Sequence, residues 1–214
     1  MASGLRRFVG RSQVEFAQRA PEPVGGRCEM CGVTIADEHP HVVNLERRSL
    51  LCTCRPCYLL FTPDGAGAGH YRAVPDRYLI DPLGGLSAAQ WDALQLPIGM
   101  AFFFHNSVLD SVVAQYPGPA GAVESLLDLD AWREIVETNR LAASLVPDVE
   151  ALIVRRERDH DDVFLVPIDA CYELVGRLRM HWTGFDGGPE ARTVIDAFFD
   201  HVRNLSTSVE AADA

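Results

Sequence analysis

The chain contains no lysine, so all 19 of its positively charged side chains are arginines. Acidic residues number 30, and the net charge is −11. Residues 1–80 hold 10 arginines and 8 acidic residues, whereas residues 81–214 hold 9 arginines and 22 acidic residues. Most of this surface would repel a polyanion, which argues against broad nucleic-acid binding. Only Arg47, Arg48 and Arg55 offer a local basic patch for a nucleic acid.

Long apolar runs are also missing. No segment is long enough to span a bilayer, and no apolar run of signal-peptide length follows the amino-terminal arginines. We therefore expect a cytoplasmic protein that does not enter a membrane. In a reducing compartment, the six cysteines favour metal binding over disulfides.

The known catalytic motifs are absent as well. The sequence has no Walker loop, dinucleotide fingerprint, nucleophile elbow or H-E-x-x-H motif. Cys171 lies on the apolar stripe of a predicted helix, which indicates a core thiol rather than a nucleophile. His105 and Asp110 flank a predicted hairpin, and a surface ion pair is the expected outcome. We predict that the protein is not an enzyme.

The clearest positive signal is a pair of C-x2-C motifs. Cys28 and Cys31 form the first motif, Cys54 and Cys57 form the second, and 22 residues separate them. Two thiolates separated by two residues can bind one ion from a single tight turn, and a second such turn completes a tetrahedral shell. Gly32 suits the first turn because glycine tolerates positive φ. The four cysteines are therefore the predicted metal ligands.

The metal and part of the ligand set stay open at this point. The absence of the proline and glycine that typically follow the third and fourth rubredoxin cysteines favours Zn2+, with iron as the alternative. Cys52 is an alternative to Cys54, although a buried thiol suits it better. His39 or His41 would give an alternative site of three cysteines and one histidine.

The pattern of the chain predicts an α+β protein with antiparallel strands. Its predicted parts are a loosely ordered lead-in (1–25), a zinc-ribbon or rubredoxin-like module (26–62), a glycine-rich linker (63–69), an α+β domain (70–207) and a flexible tail (208–214). The module contains a predicted hairpin, with strands at 41–45 and 49–52.

The α+β domain has several predicted elements. Ser87 and Gln90 predict a capping box at the start of a helix. Two strands, 98–105 and 108–116, are predicted to meet at a two-residue turn of Asn106 and Ser107, and Pro117 is predicted to end the second strand. One helix is predicted from about 128 to 145, and Asp169 is the predicted N-cap of a later helix.

In the second domain, a strand with one solvent-exposed face would not need three consecutive apolar residues such as Phe102, Phe103 and Phe104. They predict either a strand buried on both faces or a contact with a partner protein.

Several motifs resemble an actinobacterial family of unknown function. They are Cys-Glu-Met-Cys-Gly (28–32), Glu-His-Pro-His (38–41), Leu-Cys-Thr-Cys-Arg-Pro-Cys (51–57), Tyr-Arg-Ala-Val-Pro-Asp-Arg (71–77), Ala-Phe-Phe-Phe (101–104), Tyr-Pro-Gly-Pro-Ala-Gly (116–121), Pro-Asp-Val-Glu-Ala-Leu (147–152), Val-Pro-Ile-Asp-Ala-Cys-Tyr (166–172) and Trp-Thr-Gly-Phe-Asp-Gly-Gly (182–188). That family is associated with gene clusters for uptake nickel–iron hydrogenases.

The resemblance implies a metal-binding accessory protein that assists assembly or maturation of a nickel–iron hydrogenase, with a hydrogenase subunit as its protein partner. Segments 96–100 and 116–119 are loosely similar to a hydrogenase assembly chaperone, which is sometimes fused to a rubredoxin. The alternatives are a rubredoxin-like iron protein for electron transfer or oxygen protection, and a zinc-ribbon nucleic-acid-binding protein.

Overall fold

The computed structural model describes residues 26–96, 98–118, 121–126, 129–157, 161–184 and 187–209. Within these ranges, helices and two sheets form an α+β fold, as predicted. The lead-in predicted over residues 1–25 and the part of the tail from 210 onward lie outside the described residues.

The first sheet, here called the small sheet, has three antiparallel strands in the order β2-β1-β3. Its strands are β1 (His41–Asn44), β2 (Ser49–Cys52) and β3 (Tyr71–Ala73). The hairpin of β1 and β2 confirms the prediction. Its turn is closed by Asn44, whose side-chain oxygen accepts a hydrogen bond from the Arg47 amide at 2.9 Å. A short helix, α1 (Arg55–Leu59), follows β2 directly.

The second sheet, here called the large sheet, has seven strands in the order β10-β4-β9-β8-β5-β6-β7. The pairs are antiparallel except β10 with β4, which is parallel. The strands are β4 (Leu79–Ile80), β5 (Met100–Asn106), β6 (Ser111–Gly118), β7 (Gly121–Leu126), β8 (Glu150–Arg156), β9 (Asp161–Pro167) and β10 (Thr207–Ser208).

Five further helices cover the two faces of the large sheet, so this part of the molecule has three layers. They are α2 (Ala88–Ala93), α3 (Leu129–Thr138), α4 (Arg140–Ala143), α5 (Ile168–His181) and α6 (Gly188–Leu205). Residues of α5 and α6 share one core with Phe102 and Phe104, and residues of α2, α3 and α4 share another core with Phe103. Burial of β5 on both faces is therefore the correct prediction for the three phenylalanines.

Local chemistry explains two of the boundaries. Ser87 begins α2 with the predicted capping box: its hydroxyl accepts from the Gln90 amide, and the Gln90 side chain accepts from the Ser87 amide. Asn139 separates α3 from α4 by capping the second helix through the Ala142 amide at 2.9 Å. The single helix predicted from about 128 to 145 is therefore wrong, because an asparagine favours caps over helix interiors.

Three other expectations need correction. The turn after β5 is not the two residues Asn106 and Ser107. Instead, the Asn106 side chain accepts from the amides of Val108 and Leu109, and the turn extends to residue 110. Pro117 does not end β6, which continues to Gly118 and pairs with β7, a strand that the sequence did not predict. Asp169 is not the N-cap of α5 but lies in its first turn.

The small sheet packs directly on the large part of the molecule. Val43 of β1 and Val74, just after β3, belong to the same apolar core as α5 and α6. An Arg72 guanidinium nitrogen donates a hydrogen bond to the Pro147 carbonyl oxygen at 3.0 Å. The domain boundaries remain predictions. They assign β3 to the α+β domain, but β3 pairs with β1, a strand of the cysteine module.

Candidate metal centre

The first cysteine pair lies in a tight turn. Gly32 has φ 76°, the left-handed conformation that the sequence predicted for this position. Its amide donates a hydrogen bond to the Cys28 carbonyl oxygen at 2.8 Å, and the Cys28 amide donates to the Val33 carbonyl oxygen at 2.8 Å. These bonds fold the backbone around the two residues between Cys28 and Cys31.

The second pair lies where β2 leads into α1. Cys54 has extended backbone dihedrals at the helix N-cap, and Cys57 is in the first turn of the helix. The Tyr58 amide donates a hydrogen bond to the Cys54 carbonyl oxygen at 3.0 Å. Pro56 is well placed at the helix start, because its fixed φ suits that turn and its missing N–H is not needed there.

The structure brings these two turns together. The four sulfur atoms of Cys28, Cys31, Cys54 and Cys57 all lie within 4.8 Å of one another. The Sγ atoms of Cys31 and Cys54 are 3.7 Å apart, which is too long for a disulfide, and all four thiols are free. A tetrahedral ion with Zn–S bonds of about 2.3 Å would place its sulfurs about 3.8 Å apart. The cluster therefore has the donor atoms and the size of a metal site.

The thiols perturb one another. Burial alone would raise the pKa of Cys28, but hydrogen bonds with the backbone at Cys54, Cys31 and Met30 lower it to about 6. Hydrogen bonds with the sulfurs of Cys54 and Cys31 raise the pKa of Cys57 to about 12. These surroundings therefore stabilise the thiolate form of Cys28 and disfavour the thiolate form of Cys57. A bound cation would supply the positive charge that lets all four ionise.

The two arginines next to the cysteines make local contacts. A guanidinium nitrogen of Arg27 donates to the Gly32 carbonyl oxygen at 3.1 Å, which braces the first turn. The Arg55 guanidinium lies 5.0 Å from the centre of the Tyr58 ring, a cation–π contact on α1. Each arginine is the sequence neighbour of one cysteine of the cluster, and a positive charge near a thiolate favours its ionised form.

The alternative ligands considered from the sequence form a separate group. One ligand atom from each of His39, His41 and Cys52 lies within 4.8 Å of the other two, and the group shares no residue with the four cysteines. Cys52 is only half-buried. Burial and the nearby Glu29 carboxylate raise the pKa of its thiol. Sequence reasoning treated these residues only as replacements in the first site. The signal it missed is that a hairpin over 41–52 brings its two ends together, which places His41 and Cys52 near each other.

The remaining candidates have structural surroundings. Cys171 is fully buried, and burial raises the pKa of its thiol. A ring nitrogen of His105 lies 3.3 Å from an Asp110 carboxylate oxygen, the surface pair that the sequence predicted. Among the described residues, no helix combines the length and the apolar character that a membrane crossing needs.

Fold and site together define an α+β protein with a candidate four-cysteine metal centre. The chain belongs to a family of unknown function, DUF5947, which matches residues 27–206. The predicted membership of a family of unknown function is thus confirmed. No curated protein and no solved structure matches the chain.

Proposed function

We propose that this protein is a zinc-binding accessory protein that assists assembly or maturation of a nickel–iron hydrogenase through protein–protein contacts. Cys28, Cys31, Cys54 and Cys57 are the proposed ligands. The observation that carries the metal assignment is the convergence of four sulfurs within 4.8 Å from two separate turns. Thiolates are preferred ligands of Zn2+, and two C-x2-C turns are typical of structural zinc sites.

The proposed role of the metal is structural. Four protein ligands complete the tetrahedral shell of Zn2+ and leave no position for a substrate. The ion would join the turn around Gly32 to the start of α1, two segments that are 22 residues apart in the sequence. It would thereby hold the first cysteine turn against the end of β2 and the start of α1.

Exposed apolar side chains beside the cysteines support the proposed contact with a protein. Val33 follows the first pair and is 50% exposed; Leu59 and Leu60 follow the second pair and are 50% and 66% exposed. All three follow a cysteine pair in the sequence, and exposed apolar side chains are a feature of protein interaction sites. The identity of the partner rests on the resemblance to the family linked with hydrogenase gene clusters.

Elemental analysis of protein expressed with both zinc and iron supplied tests the metal assignment. We expect zinc in the four-cysteine site. A red protein with one iron in that site and a reversible one-electron couple would instead establish the second candidate, a rubredoxin-like iron protein. That candidate is supported by the same four sulfurs, because iron accepts the same ligand set.

Co-purification tests the partner. A tagged hydrogenase subunit should capture the full chain from cells that express both. The double variant Leu59→Ser, Leu60→Ser should reduce capture by about 10-fold, since it removes apolar surface from the proposed contact and a 10-fold loss corresponds to only about 1.4 kcal/mol. Leu83→Ser is a matched control, because Leu83 is 90% exposed and belongs to a different loop. Equal capture of both variants, or no capture of the parent chain over a control bait, would contradict the proposal.

A further inference from the structure

The group formed by His39, His41 and Cys52 is placed by the strand register of the small sheet. His41 of β1 lies directly opposite Cys52 of β2. Side chains of directly opposed residues in antiparallel strands lie on the same face, with Cβ atoms about 4.5–5.5 Å apart. The Thr53 amide donates to the Pro40 carbonyl oxygen at 3.0 Å, so the pairing continues beyond the strand ends. His39, two residues before His41, therefore lies on the same face.

Hydrogen bonds fix the proton on the same nitrogen of both histidine rings. The Nδ1 atom of His41 lies 2.8 Å from the carboxylate of Asp169, and the Nδ1 atom of His39 lies 2.9 Å from the carbonyl oxygens of Ala36 and Asp37. Carboxylate and carbonyl oxygens only accept hydrogen bonds, so each Nδ1 carries the proton. In a neutral ring, the Nε2 lone pair is then free to bind a metal, as in sites where a carboxylate or carbonyl orients a ligating histidine.

The Nε2 atom of His39 has no hydrogen-bond partner although it is buried. An unpaired buried acceptor costs free energy, and native structures rarely leave one without a reason. The centres of the His39 and His41 rings are 4.7 Å apart, and the angle between the ring planes is 53°. Ring packing explains their proximity but gives the Nε2 lone pair no partner. A metal ion held between the rings and Cys52 would satisfy it.

A second carboxylate lies close to the group. An oxygen of Glu29 accepts a hydrogen bond from the Cys52 amide at 2.6 Å. Asp169 contacts His41 and Glu29 contacts Cys52, and negative charge beside the candidate ligands favours a cation there. Glu29 also lies between Cys28 and Cys31 in the sequence, so the two clusters are neighbours.

We propose that His39 Nε2, His41 Nε2 and the Cys52 thiolate form a second metal site for a divalent first-row transition metal such as Zn2+ or Ni2+. Imidazole and thiolate ligands suit these ions and not Mg2+ or Ca2+. Three protein ligands leave one coordination position open for water or another ligand, unlike the four-cysteine centre. Binding releases the thiol proton of Cys52 to solvent and changes no oxidation state. The proposal holds whether the four-cysteine site contains zinc or iron.

Metal stoichiometry on the full chain tests the second site. Protein saturated with Zn2+ and passed through a desalting column should contain two metal ions per chain. The double variant His39→Gln, Cys52→Ser should contain one, and His105→Gln, a histidine outside both clusters, should still contain two. A parent chain that holds only one metal ion in total after saturation with Zn2+, Ni2+ or Co2+ overturns the proposal. A double variant that keeps both ions overturns it as well.

Asp169→Asn tests the site without removing a ligand. Loss of an orienting carboxylate should weaken the second site by about 10–100-fold while the first ion stays bound. Competition titrations with a chromophoric chelator, run separately with Zn2+ and Ni2+, measure the change and identify the preferred ion. When the four-cysteine centre already holds Zn2+, Co2+ bound at the second site should show thiolate charge-transfer absorption that the Cys52→Ser variant loses. An unchanged affinity in Asp169→Asn, or Co2+ spectra identical with and without Cys52, would contradict the proposal.

Discussion

The two sheets of this protein are stabilised in different ways. In the large sheet, the first five residues of β8 are all buried, and cores lie on both of its faces. In the small sheet, no residue of β2 is buried, and the buried apolar side chains are those of Val42 and Val43 in β1. Burial of apolar surface is the main favourable term in folding. The large sheet therefore has its own driving force, whereas we expect the small sheet to depend on a metal bound by the four cysteines and on its contact with the core beneath the large sheet.

The largest effect should come from removing one of the four proposed ligands. Cys57→Ser should release the metal, and structural zinc contributes apparent binding free energies of about 10–16 kcal/mol in small domains. Amide hydrogen exchange should then accelerate in β1, β2 and β3 and stay slow in β8. Cys171→Ala is the matched control, since Cys171 lies outside both clusters and its variant should keep the metal. Equal protection of the small sheet in both variants would remove the proposed difference between the sheets.

A core substitution in the large sheet should lower the free energy of unfolding without releasing the metal. Phe103 is fully buried and its ring centre lies 5.9 Å from that of Trp132. Phe103→Ala should lower the free energy of unfolding by about 3–5 kcal/mol because it leaves a cavity. Metal content should not change. Val108→Ala, at a turn position that is 57% exposed, should shift stability by less than about 0.5 kcal/mol. Loss of metal from Phe103→Ala would mean that the two sheets unfold together.

A smaller effect with a defined pH dependence is expected at Asp162, which lies in β9. Burial alone would raise the pKa of this carboxyl, but hydrogen bonds from Arg155 and Arg203, at 2.7 and 2.5 Å, hold it below its ordinary value of 3.8. A lowered pKa stabilises the fold above pH 3.8, and this contribution is lost as the pH falls through the folded-state pKa.

Asp162→Asn should therefore destabilise the protein by about 1–3 kcal/mol at pH 7, because it weakens charged hydrogen bonds to a buried acceptor. The difference from the parent chain should shrink as the pH falls below 3.8. Urea unfolding followed by tryptophan fluorescence across this pH range measures both quantities. Asp110→Asn, an exposed carboxylate, is the control and should show little change. A difference between Asp162→Asn and the parent that stays constant with pH would show that its carboxylate charge does not matter.

Local chemistry made part of this structure predictable. The hairpin of β1 and β2, the capping box at Ser87 and the turn at Gly32 each depend on residues within a few positions of one another. Three consecutive phenylalanines predicted either burial of β5 on both faces or a contact with a partner protein, and the first alternative is correct. These features are encoded in side chains whose conformational preferences do not need the rest of the chain.

Long-range pairing accounts for what the sequence did not predict. β4 and β10 are two residues long and pair across the whole domain, so neither has a local pattern. β7 was hidden by the prolines and glycines before it, which also suit a loop. The contact between His41 and Asp169 joins residues 128 positions apart. The four-cysteine centre was predictable from spacing, but the second cluster needed the register of the hairpin and the position of α5.

The ends of the large sheet determine how other chains can approach it. One edge is β10, a strand of only two residues, and the other is β7, which carries the exposed carboxylate of Glu124. Short edges and outward charges hinder the addition of a strand from another molecule, which is a common route to aggregation. We therefore expect recognition of this protein to depend on its side-chain surfaces and not on β-augmentation of the large sheet.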